Sequence, residues 1–211
     1  GPTIKSHPWE EMLGKERPDV GPLAKDVPDD FFFAEFRSLN KMIDVLDSGD
    51  LWAKHLLHQT AGEARSQQVG ERLKRQLAVE TNPLVRPFYD LVVEDVAVTG
   101  SDLFFNEGSD LTLLFRFKQP EVFKARMNGF LQNAEKADKL VKRSSGQFGG
   151  VDYVHLTSPD RSVHVFSAYP QPNLHVRSNS LIALQRVLSA IQGKEPGGAA
   201  VRRLGDSAEF A

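Results

Sequence analysis

One pattern, a strand followed by a polar corner and a helix, occurs three times in this chain and limits what it can fold into. In Thr112 to Leu131 (TLLFRFKQPEVFKARMNGFL), Leu113, Phe115 and Phe117 alternate with Thr112, Leu114 and Arg116, the period of a half-buried strand. Lys118 to Pro120 turn the chain, and apolar residues then recur at Val122, Phe123, Met127, Phe130 and Leu131, close to helical spacing. Phe31 to Gly49 and Leu174 to Gly193 repeat the sequence of events. Between these units lie short strands joined by SPDR and PQPN turns, at Asp152 to Thr157 and Ser162 to Tyr169. Tight hairpins make neighbouring strands antiparallel. The predicted class is therefore α+β: an antiparallel β-sheet with amphipathic helices packed on one face, built from repeated strand–corner–helix units.

Within 211 residues this pattern fits one domain with loose ends. Residues 1–29 carry five prolines among many charges and read as a tag scar (Gly1-Pro2) followed by a proline-rich arm or linker, with Trp9 as the residue that pins it. Residues 30–205 form the single α+β domain. At 206–211, Asp206 and Glu209 have the spacing of a capping box and mark the start of a truncated helix. A helical stretch is expected from Leu51 to about Val79, a brief helix or turn over NPLVRPFYDLVV, and a flexible link at Ser144 to Gly150 after the polar run Lys136 to Arg143.

Charge and composition exclude several functions. With 26 basic and 28 acidic side chains the net charge is −2, which gives no footprint for nucleic acid or an anionic membrane. No run reaches the roughly 18 apolar residues of a transmembrane segment. The absence of cysteine excludes disulfides, thiolate metal sites and cysteine nucleophiles. GxGxxG, a phosphate loop, GxSxG and HExxH are all missing, so no cofactor and no catalytic residue is assigned.

The groups that remain are metal-ligating types. If SPDR is a four-residue loop, Thr157 pairs with Ser162 and His155 stands directly opposite His164 on one sheet face. Two imidazoles so placed can share a divalent metal, with Tyr153 or Phe166 beside them; the plainer reading is two solvent-facing histidines. His55 and His58 sit three apart on a helix but lack a third ligand at helical spacing. Asp102, Asn106, Glu107 and Asp110 surround a turn without EF-hand spacing. Glu94-Asp95, adjacent on a strand, should point to opposite faces.

The C-terminal third, with its LHVRSNS strand, LIALQRVLSAI helix, Gly193-Lys194 loop and RRLGDSAEF segment, resembles a family of large bacterial exported proteins known only as domain of unknown function 3352. The residues that carry the resemblance are Asn179, Ser180, Leu181, Leu184, Val187, Leu188, Gly193, Lys194, Leu204, Ser207 and Phe210. Leu113 to Leu131 is similar to that family's middle segment. The resemblance implies a non-catalytic binding or structural domain of a larger envelope-associated protein, periplasmic or extracellular, membrane-anchored in full length, with a protein partner in the cell envelope. The alternative is a metal- or small-ligand-binding domain using His155 and His164.

Overall fold

The alternation in Thr112–Phe117 becomes an interior strand, third in order, of a seven-stranded antiparallel sheet. The computed structural model describes residues 21–44, 74–102 and 109–206. Its strands are β1 (Phe32–Phe36), β2 (Val93–Gly100), β3 (Thr112–Phe117), β4 (Lys142–Phe148), β5 (Val151–Thr157), β6 (His164–Gln171) and β7 (Leu174–Ser178). They lie side by side in the order β1-β2-β3-β7-β6-β5-β4, so two meanders meet where β7 pairs with β3. The helices are α1 (Arg86–Val92), α2 (Pro120–Ala137) and α3 (Leu181–Gln192), with further helical residues at 39–44 and 74–76. Each repeated unit forms as expected: β1 leads to helical residues 39–44, β3 to α2, and β7 to α3. The class is α+β.

The helices do not share one face. Phe123, Met127, Phe130 and Leu131 of α2 meet Leu113, Phe115 and Phe117 of β3 in one core. Ala183, Leu184, Val187 and Leu188 of α3 meet Leu114, Val176 and Phe166 in a second core on the other side. The reason lies in β3 itself. Leu114 is as fully buried as Phe115, so this interior strand is apolar on both faces and needs a cover on each. Local capping fixes where α3 begins and ends: the Ser180 side chain accepts from the Ala183 N–H, and Gly193 leaves the helix in the left-handed conformation, φ 71°.

The proline-rich arm is shorter than its composition suggests. Leu23 and Val27, flanking a 3-10 turn at Ala24–Asp26, are completely buried in the α3-side core. This strap is tied to the chain's other end: Leu204 donates its N–H to the Val27 carbonyl at 2.9 Å, and Pro28 bridges Arg203. Residues 21–29 therefore belong to the domain. Gly1 and Pro2, Trp9, the 45–73 stretch with His55 and His58, Asn106 and Glu107, and Glu209 of the expected capping box lie outside the described residues.

A strand also replaces the expected flexible link. KRSSGQF is β4, paired with β5 at all seven positions from Lys142↔Thr157 to Phe148↔Val151. Gly149 and Gly150, at φ 55° and 79°, close this hairpin as the two-residue turn whose twist matches the strands.

Candidate functional site

The outer meander, β4 to β6, is where the sequence placed its metal-ligating pair, and the structure brings that pair together with an altered register. Thr157 pairs with His164 and His155 with Phe166, two residues away from the expected alignment. Ser158 causes the difference. Its Oγ accepts the Val163 N–H at 3.0 Å and donates to Asp160 at 2.6 Å, while its own N–H donates to the Val163 carbonyl at 2.9 Å. The hairpin thus closes at Ser158 and Val163, and the tip runs from Pro159 to Ser162. A slip of two residues preserves the face on which every side chain emerges, whereas a slip of one would invert it. His155 and His164 therefore stay on one face, as diagonal rather than opposed neighbours.

Their rings are perpendicular, with centroids 5.0 Å apart and His155 Nε2 lying 3.4 Å from His164 Nδ1. The Thr157 hydroxyl lies 3.0 Å from the same His164 nitrogen, and the Ser144 hydroxyl 3.4 Å from His155 Nδ1. His155 stacks on Phe166 at 4.1 Å with planes 3° apart, and Tyr153 meets Phe166 edge-on at 5.9 Å. Burial, then the charge of Arg161, then His155 itself hold His164 down to about 4. Burial and Arg161 also lower His155. At neutral pH both imidazoles are uncharged and keep a nitrogen lone pair for a ligand. Among the described residues no group of three or more histidine and carboxylate side chains is placed to hold a metal, so this pair stands without a third protein ligand of those types.

On the α2 side of the same meander is an open cavity of about 970 Å³. Asn128 and Leu131 of α2 form one wall; Ser145, Gln147, Val154 and Tyr169 of the sheet are among the residues opposite. Gln147 donates to Asp152 across the hairpin at 2.8 Å. The Tyr169 hydroxyl is buried without a hydrogen-bond partner among the described residues, and burial pushes it up to about 12. Sequence reasoning missed this cavity because its walls come from a strand, β4, that carries no apolar alternation.

Other polar groups gather inside the fold. Arg177 is completely buried. Its Nη1 donates to the carbonyls of Leu77 (3.0 Å) and Ala78, its Nη2 to the Met127 carbonyl at 2.6 Å, and its Nε to His175 Nε2 at 3.2 Å. Asp26 of the 21–28 strap and Glu35 of β1 are held up at about 6 and about 7, chiefly by burial, in a cluster that includes Asp95 and Arg116. Asp95 is bound by Arg116, and an irregular register between Val93 and Asp95 lets Glu94 come within 3.9 Å of the same guanidinium. Adjacent carboxylates on a strand therefore do reach one partner here. Asp102 and Asp110 cap turn hydroxyls, accepting from Ser109 and Ser101 respectively.

No protein-family model, curated protein or solved structure matches the chain. No helix among the described residues is long and apolar enough to cross a membrane.

Proposed function

We propose that this chain is a non-catalytic binding or structural domain of a larger bacterial envelope-associated protein, and that it engages a protein partner along the outer meander. The observation that carries the reading is β4. It pairs regularly with β5 on one side, is exposed or half-exposed along its whole length, and has no strand among the described residues on its other edge. A row of free backbone donors and acceptors is a template for an added strand. Proteins usually blunt such edges with charge, proline or a bulge. In β4 the charges stand only at one end, Lys142 and Arg143, and Arg143 is already engaged by Glu135 at 2.8 Å. Ser144 to Phe148 carries neither charge nor proline.

The envelope placement is supported by the resemblance of the 174–210 segment to exported proteins. It is tested by fractionating the full-length native protein in its own cell. Recovery in the membrane, periplasm or medium is the expected outcome, and recovery in the soluble cytosol would contradict it.

A further inference from the structure

The outer meander presents a second surface, on the α3 side, whose chemistry differs from that of a free strand edge. There His155 and His164 place one nitrogen each 3.4 Å apart. Two imidazole nitrogens on one tetrahedral ion, with metal–nitrogen bonds of about 2.0–2.1 Å, stand roughly 3.3–3.4 Å from each other. The ring centroids, 5.0 Å apart with perpendicular planes, leave room for both imidazoles to approach one ion without stacking on each other. We infer that His155 Nε2 and His164 Nδ1 together hold one divalent transition-metal ion of the nickel, copper or zinc class.

Four features support the assignment. Imidazole is the ligand these ions share, and calcium or magnesium would demand oxygen. A ligating histidine ordinarily uses its second ring nitrogen in a hydrogen bond that fixes its orientation, and Ser144 Oγ lies 3.4 Å from His155 Nδ1. The stack of His155 on Phe166 holds that ring from below, so the ligand is placed before any ion arrives. Thr157 Oγ1, 3.0 Å from His164 Nδ1, stands beside the ion's position as a neutral oxygen.

The charged group that acts on the pair is Arg161, at the hairpin tip, and Lys142 of β4 pairs with Thr157 on the same face. The Arg161 charge weakens the site. With two protein nitrogens, the remaining coordination positions belong to water or to an incoming ligand, which makes the site open rather than structural. Among these ions the order of affinity places copper first.

The test is a titration of the 211-residue chain with zinc chloride and, separately, nickel chloride, followed by calorimetry and by imidazole nitrogen NMR. The His155 and His164 ring resonances should move together at one equivalent of metal. His155→Gln and His164→Gln should each weaken binding at least tenfold, and the double variant should be little worse than either. The ring resonances are read on the unmodified chain and stand even if a variant folds poorly. Unmoved His155 and His164 resonances would overturn the inference. So would full affinity in both variants, with binding abolished instead by His55→Gln and His58→Gln.

Discussion

Arg177 donates its Nε–H to His175 Nε2 at 3.2 Å, and both side chains are completely buried on β7. The bond settles the imidazole's tautomer. Nε2 accepts, so Nδ1 carries the proton and donates to the Ala168 carbonyl on β6 at 2.9 Å. Burial and the neighbouring guanidinium hold His175 well below the usual histidine range, which keeps it neutral and able to accept. Burial likewise lowers Arg177 to about 10, still charged at neutral pH, and its charge is spread over backbone carbonyls from the 77–78 turn and from α2. One side chain thus ties two separate segments, the 77–78 turn and α2, to the centre of the sheet.

Replacing Arg177 leaves the Leu77, Ala78 and Met127 carbonyls and His175 Nε2 without that donor. An unsatisfied buried polar group costs about 1–3 kcal/mol. Arg177→Met should lower the unfolding free energy by roughly 3 kcal/mol or more in urea denaturation. Arg177→Lys should do no better than half a rescue, because one ammonium cannot reach carbonyls that lie in different directions. A loss below about 1 kcal/mol in both variants would remove the arginine from its place at the centre of the fold.

The cluster at the strap makes stability depend on pH. Glu35 rises from 4.5 to about 7, by burial first and by Asp95 and Asp26 after it. A carboxyl whose folded pKa is raised stabilises below its unfolded pKa, and that contribution is lost as pH climbs through the folded value. His164 works in the opposite direction below pH 6.5, because its folded pKa is depressed. Comparing wild type with Glu35→Gln isolates the carboxyl. The variant should gain about 2 kcal/mol on wild type between pH 5 and pH 8, a gain moderated by the carboxyl's partial exposure. Thermal melts at the two pH values read this directly. Parallel profiles would show that Glu35 titrates normally.

The hairpin that presents β4 rests on a backbone conformation. Gly150 has φ 79°, and a Cβ added there meets nothing within 4 Å, so substitution tests the dihedral angle alone. Gly150→Val should cost about 1–2 kcal/mol, and Gly150→Asn distinctly less, since asparagine tolerates the left-handed region. Amide exchange should accelerate in β4 and β5 while β2 and β3 stay protected. Uniform acceleration across the sheet would mean the hairpin does not open on its own.

Much of this architecture can be read from residue order alone. The alternation in Leu113–Phe117 and the spacing Phe123, Met127, Phe130, Leu131 mark β3 and α2 without ambiguity, and Ser180 and Gly193 bracket α3. Hidden information is of a different physical kind. KRSSGQF shows no apolar period because an edge strand that is exposed or half-exposed along its length buries little; its conformation comes from pairing with β5. Arg177 sits in a polar run, RSNS, and becomes buried only because α2 and the 77–78 turn arrive from elsewhere in the chain. For the histidine pair the shared face was legible from period two, while the register depended on Ser158 using its side chain as a closing hydrogen bond.

The claim that the outer meander is a protein-binding edge is met most directly by crosslinking in the native cell. A photoreactive residue placed at Ser145, exposed on β4, is compared with one at Ile182, which is 72% exposed on α3. The account predicts a discrete crosslinked partner from Ser145 in the envelope fraction, reduced by Gly150→Val, and none from Ile182. A partner captured from Ile182 with nothing captured from Ser145 would contradict it.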